Sequence, residues 1–214
     1  MPRYRCGLIG AGIGGSLSPA LHETEGRRHG IDLSYDLFDV HREPAALPDL
    51  VARAEAAGYA GLNITHPFKQ QVLPLLDELS PQATAIGAVN TVVFSGGRRS
   101  GHNTDAYGFT EAFRAGLPGA ATRHVVQLGA GGAGAACAFA QLSAGVDRLT
   151  VADPDAARRS ALVATLGVAG RLSVIDPAHL PVAVADADGL LNASPVGMHS
   201  HPGLPLPAEL LHRG

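Results

Sequence analysis

Val125-Val126-Gln127-Leu128-Gly129-Ala130-Gly131-Gly132-Ala133-Gly134 decides the fold. An apolar run ends in a glycine-rich turn that opens into small residues suited to a tightly packed helix, and Gly129, Gly131 and Gly134 spell G-x-G-x-x-G in that setting. Gly129 permits the tight turn, Gly131 lets backbone approach a pyrophosphate, and Gly134 lets the helix lie close to the sheet. The helix N-terminus offers N–H groups and positive potential to an anion, so Gly129, Ala130, Gly131, Gly132, Ala133 and Gly134 form a candidate dinucleotide site. Val151-Ala152-Asp153 closes the next strand with a carboxylate at roughly the 20-residue offset from which an acid accepts from the adenosine ribose hydroxyls. Asp153 would meet a 2′-phosphate with like charge, which favours NAD over NADP, while Arg158 and Arg159 pull the other way.

Outward from this run, strand-like and helix-like segments alternate, the pattern of a parallel sheet covered by helices on both faces. Upstream, strands are expected at Arg5–Ile9, Leu33–Asp39 and Gly61–Ile64. Helices are expected at Pro19–His29, near Leu47–Ala57 and near Lys69–Leu79, followed by a hairpin at Ala88–Ser95 and Arg99–Asn103. Around the glycine run, the strand Val125–Leu128 leads into a helix to about Ala144. A strand at Arg148–Ala152, a helix at Asp155–Leu166 and strands at Leu172–Ile175 and Gly189–Asn192 follow. The turn Gly116-Leu117-Pro118-Gly119 marks a boundary. Two α/β domains are expected: residues 1–112 with a mainly parallel sheet, and residues 113–214 as a Rossmann-like dinucleotide-binding domain.

Bulk properties narrow the function classes. The 214 residues are 46% hydrophobic and 16% charged with a net charge of −3, and the cations are scattered, which excludes a basic stripe for nucleic acid. Cys6 and Cys137 lie in apolar runs with no redox or metal partner, as suits a reducing cytoplasm. No segment reads as a membrane span, and Met1-Pro2-Arg3-Tyr4-Arg5 is not followed by a signal-peptide core. His199-Ser200-His201 lacks a third ligand in its Pro/Gly loop, so no metal is expected.

Gly10-Ala11-Gly12-Ile13-Gly14-Gly15 also follows a strand and also fits the glycine pattern. Here, however, the loop runs on through Ser16-Leu17-Ser18 before Pro19 can open a helix, so the last glycine misses the first helical turn. This loop is assigned to substrate: the hydroxyls of Ser16 and Ser18 suit a carboxylate, and Ser18 equally suits the cap of the helix opened by Pro19. Asn90 lies in the apolar run from Ile86 to Phe94, where a turn or a ligand must satisfy its amide.

Asn63-Ile64-Thr65-His66-Pro67-Phe68-Lys69 resembles the N-x-T-x-P-x-K signature of the shikimate/quinate dehydrogenase family, and Asn103-Thr104-Asp105-Ala106-Tyr107-Gly108 resembles its N-T-D-x-x-G segment. With Ser16-x-Ser18, Ala88-Val89-Asn90-Thr91, the glycine motif, and Asn192-Ala193-Ser194-Pro195 with Gly197-Met198, the motifs fall in the family's order over almost the whole chain. The resemblance implies a hydride transfer between a ring hydroxy-acid and a nicotinamide cofactor. Lys69 and Asp105 would be the catalytic pair. Ser16, Ser18, Asn63, Thr65 and Asn90 would hold the acid's carboxylate and hydroxyls, and Asn192, Ala193, Ser194 and Met198 would border the cofactor. The chemistry agrees, because oxidising a secondary alcohol requires a proton acceptor within hydrogen-bond reach and a cation beside the developing alkoxide. Lys69 is assigned as proton donor or acceptor, and Asp105 as the group that orients it.

Family members usually continue for several dozen residues beyond Gly214. That part includes the last strand of the cofactor domain and an amide that helps bind substrate, so a catalytically impaired nucleotide-binding protein is one alternative. Another is a dehydrogenase of an aminated analogue. His66 with Asp153 looks like the NAD-using branch, whereas Ser18 is typical of shikimate preference. Shikimate is therefore the expected substrate, quinate a second one, for a monomer or homodimer.

Overall fold

The computed structural model describes residues 3–167, 170–198 and 200–211 and divides into two compact units, 1–104 and 105–214. In the first unit, β1 (Arg3–Gly10), α1 (Ser18–Arg28), β2 (Asp32–Asp39), α2 (Leu47–Ala56) and β3 (Gly61–Ile64) alternate as the sequence pattern predicts. β4 (Glu78–Leu79), α3 (Pro81–Ile86), β5 (Thr91–Ser95) and β6 (Arg98–His102) complete it. The six strands run in the order β2-β1-β3-β5-β6-β4. Pairings of β1 with β2, β1 with β3 and β4 with β6 are parallel, while β3 with β5 and β5 with β6 are antiparallel. The core gathers Ile9, Leu50, Val51, Leu62, Ile64, Val72, Val89 and Val92.

The helix expected near Lys69–Leu79 does not form. Residues 66–72 make turns, Leu73–Leu75 is a single 3-10 turn, and the segment then enters the sheet as β4. Pro74 explains the difference, since a proline inside a helix removes a hydrogen bond and clashes with the preceding turn. Asp77 instead joins the strand opposite: its N–H donates to the Arg99 carbonyl at 3.0 Å and its carboxylate accepts from the Arg99 N–H at 2.7 Å. The short α3 was not expected. Its signals are nonetheless local: the Ser80 hydroxyl accepts from the Ala83 N–H at 3.1 Å, Pro81 is the first helical residue, and Gly87 ends the helix at φ 67°.

The second unit opens with α4 (Asp105–Gly116), which packs on α5, so the division falls at the start of the stretch from Asp105 to Arg123 in which the boundary is expected. β7 (His124–Leu128), α5 (Gly132–Ser143), β8 (Arg148–Ala152), α6 (Ala156–Leu166), β9 (Leu172–Ile175), α7 (Leu180–Val184) and β10 (Gly189–Asn192) follow. All strands pair in parallel, in the order β10-β7-β8-β9. Every residue of β7 is buried, as expected of a central strand covered on both faces. No helix among the described residues is long and apolar enough to cross a membrane.

Candidate active site

The chain leaves β7 toward β8 and β9, then returns to pair β10 on the other side of β7. The carboxyl ends of β7 and β10 therefore flank a topological switch point, where open α/β sheets bind ligands. The Gly129–Gly134 turn and the Asn192–Met198 loop both lie there. Gly129 has φ 100°, and its missing Cβ leaves room for the Ala193 carbonyl, whose oxygen would stand 2.8 Å from such an atom. The Ala193 N–H donates to the Leu128 carbonyl at 2.8 Å, fixing one loop over the other. Asn192 shapes its own loop: Oδ1 accepts from the Ser194 hydroxyl at 2.6 Å and Nδ2 donates to the Val196 carbonyl at 3.0 Å. Met198 is 59% exposed beyond it, and its carbonyl accepts from the His201 N–H at 2.9 Å. His199 lies outside the described residues, and among those described no group of three His, Cys, Asp or Glu is placed to hold a metal.

The glycine turn fits a dinucleotide. Gly131 caps α5 in extended conformation with no side chain over the helix end, and nothing lies within 4 Å of where its Cβ would be. Gly134 packs so closely that a Cβ would overlap the Gly129 carbonyl. Two glutamines that the sequence reading missed hold this geometry. Gln127 is fully buried, and its Nε2 donates to the carbonyls of Gly129 and Gly134, each at 2.9 Å, while its Oε1 accepts from Gln141 Nε2 at 2.7 Å. Asp153, 3% exposed, accepts from the Ala130 N–H at 2.8 Å and from the Asp155 N–H at 2.9 Å.

The first glycine loop has a superficially similar clasp. Asp39, at the end of β2 and 7% exposed, accepts from the Gly12 N–H at 2.8 Å and the His41 N–H at 3.0 Å. Burial pushes its pKa up, but bonds from the His41, Gly12 and Gly14 N–H groups more than offset this and hold the carboxyl below its ordinary value. The turn is thus clasped by an internal carboxylate, as Asp153 clasps the Ala130 N–H at the other turn, so what separates the two loops is the run from Gly15 to Leu17 before α1 rather than the clasp. Asp39→Asn would leave one acceptor and point amide hydrogens at an N–H, and is expected to lower stability by about 1–3 kcal/mol at neutral pH. Because the folded-state pKa is depressed, this stabilisation is present above the unfolded carboxylate value of about 3.9 and lost as pH falls through the lower folded value. Urea titrations of wild type and variant at decreasing pH check it: the gap closes in acid.

Around this loop, polar side chains of the first unit form one hydrogen-bonded string. Ser18 does not cap α1. Leu17 holds that position without a side-chain bond, and the Ser18 hydroxyl accepts from Ser16 Oγ at 3.1 Å. Asn63, on β3, donates through Nδ2 to Thr91 Oγ1 at 3.2 Å and to the Asn90 carbonyl at 3.3 Å. Thr91 Oγ1 donates to Asn90 Oδ1 at 3.0 Å, and Asn90 Nδ2 donates to Thr104 Oγ1 at 2.8 Å. These protein partners satisfy the buried Asn90 amide without requiring a ligand. Thr65 caps the end of β3, its N–H donating to the Ile9 carbonyl at 3.0 Å and its methyl packed where a Gly10 Cβ would be.

Backbone bonds bring Lys69 to the same segment. The Val89 N–H donates to the Lys69 carbonyl at 2.8 Å, the buried Asn103 donates from Nδ2 to the Ala88 carbonyl at 2.9 Å, and the Thr104 N–H donates to Asn90 Oδ1 at 3.0 Å. Asp105 is the next residue and starts α4. Thr91, Thr104 and Asn103 were not among the expected site residues, although all three sit inside the quoted motifs.

Comparison with known proteins bears on the family. Residues 8–92 match the shikimate dehydrogenase substrate binding domain. The chain is 54% identical over 217 residues to a shikimate dehydrogenase (NADP(+)) of Streptomyces avermitilis, covering 99% of this chain and 75% of the relative. It is 49% identical over 204 residues to a quinate/shikimate dehydrogenase (NAD(+)) of Corynebacterium efficiens, covering 92% of this chain and 72% of the relative. Among solved structures, quinate dehydrogenase from Corynebacterium glutamicum in complex with NAD superposes with a TM-score of 0.87 at 44% identity, over 98% of this chain and 77% of that one. With motifs, fold and relatives in agreement, the chain belongs to the shikimate/quinate dehydrogenase family.

Proposed function

We propose that this protein interconverts shikimate and 3-dehydroshikimate, takes quinate as a second substrate, and uses NAD in preference to NADP. The polar string through Ser16, Ser18, Asn63 and Asn90 carries the reading, because it gathers hydroxyl and amide groups suited to a carboxylated, hydroxylated ring beside the segment that anchors Lys69. Ser16 and Ser18 bind the carboxylate, Asn63, Thr65 and Asn90 the ring hydroxyls. Lys69 takes the proton of the reacting hydroxyl in oxidation and returns it in reduction, and Asp105 orients the ammonium. Bound at the Gly129–Gly134 turn, a nicotinamide dinucleotide supplies the two-electron acceptor for the hydrogen leaving carbon. Asn192, Ala193, Ser194 and Met198 line that site.

The NAD preference rests on the charges around Asp153. Its carboxylate is joined by that of Asp155, which caps α6. The arginines available for a 2′-phosphate are committed elsewhere: Arg158 pairs with Asp155 at 3.5 Å, while Arg159 donates to the Asp153 carbonyl and pairs with Asp176 at 3.6 Å. Both cysteines are free thiols, which suits work in the reducing cytoplasm.

Purified protein mixed with shikimate or quinate and either dinucleotide is expected to show the absorbance of reduced nicotinamide, faster with NAD. Faster turnover with NADP overturns the cofactor preference. Turnover confined to an aminated analogue, or dinucleotide binding with no turnover of any ring acid, overturns the substrate assignment.

A further inference from the structure

Tyr35 joins the two halves of the polar string and has no role in the steps above. It sits in the middle of β2, 5% exposed, and its hydroxyl donates to Asn63 Oδ1 at 2.7 Å while hydrogen-bonded by Ser18. Its own N–H donates to Glu23 Oε1 on α1 at 3.0 Å, and its ring stacks on His22 with centroids 4.6 Å apart and planes 8° apart. Burial, with the neighbouring Cys6, pushes the phenol pKa up, so the group remains a neutral hydroxyl.

The polarity of the string matters more than its length. Donation runs from Ser16 to Ser18, to Tyr35, to Asn63, to Thr91, to Asn90 and on to Thr104. Because the Asn63 amide oxygen can only accept, the single Tyr35 proton points at it, which leaves the phenol oxygen as the acceptor toward Ser18. That proton fixes the Asn63 oxygen toward Tyr35 and the NH2 toward the Asn90 carbonyl and Thr91. A flipped amide would place its hydrogens against the tyrosine hydroxyl and its oxygen against a carbonyl.

The geometry points to Tyr35 as a positioning residue for the hydroxylated ring acid: its hydroxyl, hydrogen-bonded by Ser18, sets which edge of the Asn63 amide the substrate meets. This role rests on the preceding assignment of Ser18 and Asn63 to the ring acid. It couples the carboxylate end of the site to the hydroxyl end, so a disturbance at Ser18 is transmitted to Asn63 without a direct bond between them.

Tyr35→Phe tests it, since the ring and its stack on His22 are retained. KM for shikimate is expected to rise about tenfold, the worth of one well-formed hydrogen bond, with NAD affinity unchanged. The same substitution in an Asn63→Ala background is expected to add nothing, because the amide it orients is gone. An unchanged KM, or an equal cost in both backgrounds, overturns the proposal. Exchange of the Asn63 side-chain amide hydrogens, followed by NMR without substrate, is expected to quicken in Tyr35→Phe; unchanged exchange also overturns it. That second measurement needs no turnover, so an inactive wild-type protein would sink the assigned reaction while leaving the tyrosine's role to be decided by the amide.

Discussion

Lys69→Ala is expected to cut kcat by about 10²–10⁴-fold, the range associated with losing a positioned general acid–base group, while NAD binding stays as in the wild type. Oxidation of a secondary alcohol removes a proton from oxygen and a hydride from carbon. Without a proton acceptor the alkoxide must form unaided, and without a neighbouring cation its charge is unscreened. Lys69 is held by its own carbonyl on the Val89 N–H, in the segment that also carries Asn90 and grips Asn103 and Thr104. These backbone and amide bonds lie within residues 69–104, well apart in sequence from the Gly129–Gly134 turn, so NAD affinity is the internal control. Lys69→Arg is expected to rescue little, because a guanidinium does not give up its proton at any working pH. Steady-state kinetics beside calorimetric titration with NAD check both variants, and wild-type turnover by either would remove Lys69 from the reaction.

The second large effect separates two glycines of one motif. Gly134→Ala is expected to destabilise the second unit by about 1–3 kcal/mol, as overpacking does, and to weaken NAD binding as α5 is pushed off the turn. The methyl has no space, because it would overlap the Gly129 carbonyl and approach its carbon at 2.8 Å, and Gln127 holds the carbonyls of both residues. Gly131→Ala differs. Its φ of −71° suits alanine and its surroundings are open, so the melting temperature should hold while the methyl blocks the approach of a pyrophosphate. Thermal melts and NAD titrations read the contrast; loss of stability in Gly131→Ala, or full NAD affinity in Gly134→Ala, would contradict this account of the motif.

Much of the second unit was legible because its signals are local. The strands Arg148–Ala152, Leu172–Ile175 and Gly189–Asn192 fall where the apolar runs put them, as does Gly61–Ile64 in the first. The missed elements had weak or conflicting signals: Pro74 interrupts a stretch that otherwise has the texture of a helix, and α3 is too short to show a period. The side chains that organise the site were hidden for another reason. Tyr35 meets Asn63 across 28 residues and Gln127 meets Gln141 across 14, and a single bond over that distance leaves no trace in spacing. The second glycine match shows the same limit, since G-x-G-x-x-G is written identically whether its last glycine lies in the first turn of a helix, as Gly134 does, or ahead of a loop that runs on to α1.

The Asp39 carboxylate makes the turn at 10–15 self-sufficient. Its shape is settled when the polypeptide folds and owes nothing to the level of any metabolite. The turn at 129–134 has a clasp of its own, in the Asp153 carboxylate and the Gln127 amide. Scarcity of dinucleotide would therefore leave both loops ready-formed, their shapes set by the polypeptide alone.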